Sequence, residues 1–251
     1  LIDPNFLPKN LNIKILDRPP HISDVEKNVL TVIQHKFAEN RDPGKPNPKN
    51  AEATITAVER GVNFLKNKQC SAICTMPISK SILKEGANFH FPGHTEYLAH
   101  LDGKNTYGMM LINRYLRVVP ATIHIPIKDI TKYLNAELIE KTIKTTHQEL
   151  TNRFSISNPI IWISGLNPHA GEAGTIGDEE KKSIIPVIKK LVLEGYNLVG
   201  PISADTMFYR KKRLKFDAAI CMYHDQALIP IKTLDFHSSV NLTIGLSFIR
   251  T

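Results

Sequence analysis

The sequence predicts an α/β protein organised on a mainly parallel sheet flanked by helices. Short β-prone runs alternate with amphipathic helical patterns, and a β-α-β order of this kind argues for parallel strands joined by helices. Several of the apolar runs stop at clusters of Gly, Asn and Pro that carry polar side chains. That is the pattern of the carboxyl ends of buried strands, where open α/β sheets keep their ligands. With 251 residues, 42% of them hydrophobic and 22% charged, the chain can bury the core such a fold needs. No internal repeat, low-complexity tract or linker interrupts it, so residues 1–251 read as a single α/β subunit in which any lobes are made by the sheet itself.

Taken in order, Leu11–Ile15 and Leu30–Ile33 are strand-like and carry no visible chemistry. Pro43-Gly44-Lys45-Pro46-Asn47-Pro48 must be a loop, after which Asn50 offers an N-cap to a helix with apolar residues at Ala51, Ile55, Val58, Val62 and Leu65. Cys70–Cys74 reads as a buried strand that ends at Thr75-Met76-Pro77-Ile78-Ser79-Lys80. A turn at Pro92-Gly93 puts His94 and Thr95 at the start of a helix, where exposed amides favour anions. Met109–Ile112 and Leu116–Val119 flank Asn113-Arg114-Tyr115 as a hairpin, and the second arm continues through Ala121 to Pro126 with His124 alternating between Ile123 and Ile125. A long helix carrying Leu138, Ile139, Ile143 and Leu150 leads to the strand Ile160–Ile163. Later strands are expected at Tyr196–Val199, Ala218–Met222 and Val240–Ile244.

Composition excludes several classes of function. No apolar stretch approaches the roughly 20 residues of a membrane helix, and the first residues lack a signal peptide's pattern, so the cytoplasm is the expected compartment and no membrane a partner. Cys70, Cys74 and Cys221 make an odd count in or beside apolar runs, which argues for small packing residues and against disulfides or a cysteine zinc site. The net charge of +8 is dispersed, and its one tight cluster, Arg210–Arg213, lacks interleaved aromatics and reads as a solvated basic surface. Nucleic acid is therefore not an expected partner, whereas a phosphorylated small molecule is. The chain starts without Met and stops directly after a strand-like run, so we expect residues missing at both ends.

The most informative stretch is Ser164-Gly165-Leu166-Asn167-Pro168-His169-Ala170-Gly171-Glu172, between the strand Ile160–Ile163 and the acidic trio Asp178-Glu179-Glu180. Asp178 is placed to cap the helix that follows through Ile184, Ile185, Ile188 and Val192. His169 is then either a site residue or a loop histidine hydrogen-bonded to backbone. Asp205 in Ala204-Asp205-Thr206 and His224-Asp225 in Met222-Tyr223-His224-Asp225-Gln226 also fall at strand ends. Each alone has a plain structural reading: His124 as a satisfied core residue, His94 as a helix start, His224-Asp225 as a cap and its neighbour. Their repetition at the ends of elements favours a site.

Together with Gly93-His94-Thr95-Glu96, Thr122-Ile123-His124-Ile125-Pro126, Val240-Asn241-Leu242-Thr243-Ile244-Gly245 and Phe248-Ile249-Arg250-Thr251, these motifs resemble the 4-hydroxythreonine-4-phosphate dehydrogenase family of pyridoxal phosphate biosynthesis. The resemblance covers about residues 43 to 251. It implies that His124, His169 and His224 bind one divalent metal, zinc, cobalt or magnesium. It also implies that His94, Thr95, Lys232, Asn241 and Arg250 bind substrate, and that Asp205, Asp225 and Lys232 are catalytic positions. The implied fold is a doubly wound α/β subunit with a mainly parallel sheet, resembling the isocitrate and isopropylmalate dehydrogenases, two lobes of interwoven segments around a central cleft, working as a homodimer with a shared active site. The implied reaction is NAD- or NADP-dependent oxidation of 4-phosphooxy-threonine to a β-keto acid that decarboxylates to 3-amino-2-oxopropyl phosphate. Met76, Ser239 and Ser247 depart from residues usual in the family. Its glycine- and proline-rich N-terminal motif and its later Asp-His-Gly-Thr-Ala segment are absent, so the dinucleotide contacts have no assigned residues.

The chemistry suits these residue types. Three neutral imidazoles leave a divalent ion its full charge and open positions, as a Lewis acid requires. Lys232 offers an anion a point charge and Arg250 a bidentate fork. Within the oxidoreductases the runner-up substrate is a phosphorylated four-carbon sugar acid, threonate or erythronate phosphate. From other classes, the same histidines could serve a zinc hydrolase or a truncated, noncatalytic metal-binding module.

Overall fold

The structure, a computed structural model, describes every residue except Arg41 and Pro43, so the first proline of the expected Pro43–Pro48 loop lies outside the described residues. The chain forms two units, one of Leu1–Asn105 with Leu246–Thr251 and one of Thr106–Gly245. The first unit contains β1 (Ile13–Leu16), β2 (Leu30–Ile33), α1 (Ala51–Lys66), β3 (Ala72–Ile73), α2 (Lys80–Ala87) and α3 (His94–Asp102). The second runs through β4 (Gly108–Asn113), β5 (Leu116–Pro120), α4 (Ile130–Tyr133), α5 (Ala136–Phe154), β6 (Ile161–Ser164) and α6 (Ile185–Leu193). It continues with β7 (Leu198–Ile202), α7 (Arg210–Arg213), β8 (Ala218–Cys221), α8 (His224–Leu234) and β9 (Val240–Ile244), after which β10 (Ile249–Arg250) belongs again to the first unit.

The second unit is built on a six-stranded sheet in the order β7-β6-β8-β5-β4-β9. Its first four strands run parallel, and β4 is antiparallel to both of its neighbours. Side chains alternate across each strand, and the alternation sorts them into two cores. Met110, Val119, Ile161, Ile163 and Ile220 meet Ile139, Ile143 and Leu150 of α5 and Leu191 of α6. The intervening Leu111, Val118, Trp162, Ala219 and Cys221 meet Ala227, Leu228 and Ile231 of α8. Helices thus cover both faces, which is the doubly wound arrangement. It also explains why β6 and β8, buried along their whole length, read as unbroken apolar runs.

In the first unit, β1 pairs with β2 and β3 with β10, each in parallel. The stripe predicted for α1 turns inward: Val62 and Leu65 pack with Leu98, Ala99, Leu246 and Phe248. Ala51, one turn before Ile55, packs with Leu83, Phe89 and Tyr97, whose hydroxyl donates to Glu59 at 2.7 Å. Asn50 precedes α1 without capping it, because its carboxamide binds the backbone N–H and C=O of Glu39.

Four local expectations are corrected. The strand expected over Cys70–Cys74 is only Ala72–Ile73, and it is not buried; Cys70 and Cys74 are exposed, while Cys221 is buried as expected. The second hairpin arm ends at Pro120, so His124 lies on a loop and not on a strand. Asp178 does not cap a helix: its carboxylate pairs with Lys182 at 2.6 Å, and the helix opens with a π turn, Glu180–Ile184. Tyr196–Val199 shifts to Leu198–Ile202. Among the described residues, no helix is long and apolar enough to cross a membrane.

Candidate active site

Because β5, β8, β6 and β7 are parallel neighbours, their carboxyl ends line one edge of the sheet. The residues that leave those ends are, in spatial order of the strands, His124, His224, His169 and Asp205. Polar contacts tie the ends together. Thr122, buried, donates from Oγ1 to the Met222 carbonyl at 2.7 Å and so joins the exit of β5 to that of β8. Gln226 joins β8 to β6: its Oε1 accepts from Ser164 Oγ at 2.8 Å and Met222 N at 2.7 Å, and its Nε2 donates to the Gly165 carbonyl at 2.8 Å.

His124 and His224 are neighbours, with ring centroids 5.8 Å apart. They stand at a pocket of about 160 Å³ whose apolar lining includes Ile123, Ile125, Ile127 and Ile130. His124 occupies it from a left-handed backbone conformation, φ 53°, unusual for a residue with a side chain. His224 is the first residue of α8, and its Nδ1 lies 2.6 Å from Asp225 Oδ1. With Nδ1–H donated to that carboxylate, Nε2 carries the free lone pair, the orientation that a metal-binding imidazole needs.

His169 stands on the next strand's loop, where His169, Ala170, Gly171, Glu172 and Ala173 all have positive φ, between 41° and 76°. Inside this loop sits the carboxylate of Glu180, 2% exposed. Its Oε1 accepts from Leu166 N at 2.8 Å and Asn167 N at 2.7 Å, and its Oε2 from Asn167 Nδ2 at 3.0 Å. Asp205 accepts from Ser203 Oγ; that hydrogen bond first, and the nearby His169 charge after it, hold its carboxyl below the usual range. His169 and Asp205 thus leave the adjacent strands β6 and β7, while the rings of His124 and His224 are neighbours. Among the described residues, no group of three or more His, Cys, Asp or Glu side chains is gathered as a metal site.

Lys232 and Asn241 lie elsewhere in this unit. Lys232 is eight residues along α8 from His224, about 12 Å at about 1.5 Å per residue, with its ammonium over the Phe236 ring at 5.5 Å. Asn241 pairs with Leu111, which pairs with Val118, two residues before the end of β5, so it sits about 7 Å back from the level at which the chain leaves that strand, at about 3.3 Å per residue.

In the first unit, His94 and Thr95 open α3 as expected, after Gly93. Arg250 on β10 extends past β3 and donates from Nη2 to Thr75 Oγ1 at 3.0 Å. His94 is close to it: burial first, and the Arg250 charge second, lower the imidazole's pKa and favour its neutral form. Burial likewise lowers that of Arg250. A helix start, a neutral imidazole and a partly buried guanidinium together suit an oxyanion.

The donor types suit a divalent ion, with His124 and His224 side by side and His169 not gathered with them. Two imidazoles side by side, one already oriented by a carboxylate, and a third on the adjoining strand end are borderline ligands that favour zinc or cobalt over magnesium. Sequence reasoning missed Thr122, Gln226 and Glu180. The only signal for them was position: Gln226 two residues past His224, Glu180 two residues past Asp178, the expected cap.

Comparison with known proteins finds relatives along nearly the whole chain. The family described as pyridoxal phosphate biosynthetic protein PdxA matches residues 3–251. A relative from Roseobacter denitrificans, named 4-hydroxythreonine-4-phosphate dehydrogenase, is 47% identical over 250 residues, covering 99% of this chain and 77% of its own. One of the same name from Paracoccus denitrificans is 46% identical over 253 residues, covering 99% and 78%. The crystal structure of 4-hydroxythreonine-4-phosphate dehydrogenase from Klebsiella pneumoniae superposes with a TM-score of 0.89 at 32% identity, over 98% of this chain and 75% of that one.

Proposed function

Since the chain belongs to the pyridoxal phosphate biosynthetic protein PdxA family, an oxidoreductase family that uses an NAD-type cofactor and a divalent metal, we propose that it oxidises 4-phosphooxy-threonine. The observation that carries this reading beyond the family is the placement of three histidines and Asp205 at the carboxyl ends of four adjacent parallel strands. The secondary hydroxyl becomes a ketone, giving a β-keto acid that loses carbon dioxide to leave 3-amino-2-oxopropyl phosphate.

His124, His169 and His224 would hold the ion, zinc in a purified sample, and NAD or NADP would be the oxidant. When bound, the ion supplies Lewis-acid charge to the reacting oxygens and the dinucleotide takes up hydride. The protein's own groups do the rest. Asp225 holds His224 by its Nδ1–H and keeps Nε2 directed outward. His94 and Thr95 offer the first turn of α3, and Arg250 its guanidinium, to the substrate's acidic groups. Proton transfer at the hydroxyl falls to Lys232 or Asp225, and Asp205, its carboxyl held below the usual range first by the hydrogen bond from Ser203, is the further acidic position.

Lys232, on α8, and Asn241, on β9, lie away from their own chain's histidines. If all of them serve one substrate, a second copy must supply part of the site, so we propose a homodimer with a shared active site, working in the cytoplasm. The test is turnover of 4-phosphooxy-threonine, threonate phosphate and erythronate phosphate, each with and without NAD. Metal content and molecular size are measured in parallel on His124→Ala, His169→Ala and His224→Ala. The proposal expects dinucleotide-dependent turnover of the first substrate and joint loss of metal, dimer and activity in the variants. Full metal and normal turnover in every variant would overturn it, and turnover without dinucleotide would point to hydrolysis.

A further inference from the structure

We infer that Glu180 is a positioning residue for His169, holding the loop in the conformation that lets its imidazole serve as a ligand. This rests on the reading of His169 as one of the metal's ligands and extends it to a residue that touches neither metal nor substrate.

A buried carboxylate is costly unless its lone pairs are used. Glu180, 2% exposed, receives its hydrogen bonds from the loop: Leu166 N, Asn167 N and Asn167 Nδ2, at 2.7 to 3.0 Å. It also fills the loop's concave side. A Cβ on Gly165 would stand 3.1 Å from Oε1, and one on Gly171 2.6 Å from Oε2. The glycines on both sides of His169 thus let backbone close around this carboxylate.

The carboxylate comes from the first residue of the π turn Glu180–Ile184, which opens the helix. From the anchored Asn167 the chain passes through Pro168, whose ring fixes φ, directly to His169. The Ala170 N–H then donates to the Asn167 carbonyl at 3.1 Å and closes the turn around the histidine. An orientation imposed at Asn167 is therefore carried to His169 through one stiff residue. Five consecutive residues of positive φ would not persist without such an anchor.

The experiment uses the full chain with Glu180→Gln, Glu180→Ala, His169→Ala and, as a control, Glu179→Gln. Glu179 also accepts from Asn167 Nδ2 but makes no contact with the loop amides. Two quantities are read: zinc affinity by chelator competition, and amide exchange at Leu166 and Asn167 in chelator-treated protein. Glu180→Gln keeps the volume and one acceptor but sets an amide N–H₂ against Asn167 Nδ2, so it should fold. We expect zinc affinity about 10- to 100-fold weaker in both Glu180 variants, the range for residues that orient ligands. Excess zinc should restore kcat, exchange at both amides should accelerate in zinc-free Glu180→Ala, and Glu179→Gln should stay near the parent. If Glu180→Gln folds with parental zinc affinity while His169→Ala loses zinc, the positioning role is overturned and the ligand reading stands. If His169→Ala itself keeps zinc at parental affinity, the ligand reading fails and this inference with it. Should Glu180→Ala not fold, Glu180→Gln decides alone.

Discussion

Gln226→Met tests whether the strand ends are held by the carboxamide that bridges them. The substitution conserves length and approximate volume, so the change is the loss of three hydrogen bonds, to Ser164 Oγ, Met222 N and the Gly165 carbonyl. Ser164 and Met222 are both 0% exposed, and Gly165 is buried, so water cannot replace the missing partner. Each hydrogen bond contributes about 1 kcal/mol net, and each buried backbone group left unpaired costs about 1–3 kcal/mol. With two backbone groups orphaned and the serine hydroxyl free to rotate, the expected loss is about 3–5 kcal/mol, less about 1 kcal/mol for burying the thioether side chain. Trp162, the one tryptophan in the chain, lies on β6 two residues before Ser164 and reports unfolding of this unit by fluorescence. Urea titration should show a lower midpoint with an unchanged slope. A loss below about 1 kcal/mol would refute the bridging argument. So would a double-mutant cycle with Ser164→Ala that gave no coupling between two side chains 2.8 Å apart.

Three further outcomes follow from the geometry. Arg250→Ala should lower kcat/KM by about 2–4 kcal/mol of transition-state binding while leaving the fold intact, and unchanged efficiency in a folded variant would remove Arg250 from the site. Burial lowers the pKa of His147 below its usual 6.5, its ring packed edge-on against Tyr196 at 4.7 Å. Below 6.5 the unfolded chain therefore takes up a proton that the folded one refuses. Its contribution to stability is full above that value and is lost as pH falls through the lowered one, with His94 adding in the same sense. Melting curves at about pH 7 and about pH 5.5 should show a smaller acid loss in His147→Gln than in the parent, and an equal loss would contradict this. Gly245 has φ +89° and a built Cβ would lie 2.4 Å from the Thr106 carbonyl oxygen, whereas Gly103, φ +68°, has nothing within 4 Å. Gly103→Ala should then cost about 1 kcal/mol of conformational strain and Gly245→Ala clearly more; equal costs would show that the backbone at Gly245 yields freely.

Much of the sheet was legible because its pattern is local. The hairpin around Asn113 needed only its turn and its flanking apolar runs, and Asn113 Oδ1 indeed accepts from the N–H groups of Tyr115 and Leu116. The error at His124 shows where local pattern stops. Thr122-Ile123-His124-Ile125 alternates as a strand should, but its partner β8 gives its last rungs to Ala121 and Thr122 and then turns into α8. A strand without a neighbour to pair with is not formed, and the sequence of one segment does not reveal where its partner ends. β3 illustrates the same limit: its partner is β10, at the far end of the chain, so Cys70 and Cys74 were judged by their neighbours and not by the edge they occupy. For the site, the histidines stood out because each ended an apolar run. Glu180 and Gln226 did not, because their roles depend on reaching across strands that are remote in sequence.

The pairing of Gly108 with Ile244 has a consequence for how the chain finds its structure. The segment Thr106–Gly245 enters and leaves through two hydrogen-bonded strands, so once β4 and β9 have zipped together its two ends are held about one strand spacing, 4.8 Å, apart. The residues of β10 and β3 lie far apart in sequence, and an unstructured loop between them would be long. With the intervening segment folded, the effective loop shrinks about fivefold, a little over two halvings, and at about 0.6 kcal/mol each this lowers the entropic cost of closure by about 1.4 kcal/mol. The pairing of Arg250's strand with β3 is in this sense a short-range contact in the partly folded chain, although it is among the longest-range ones in sequence.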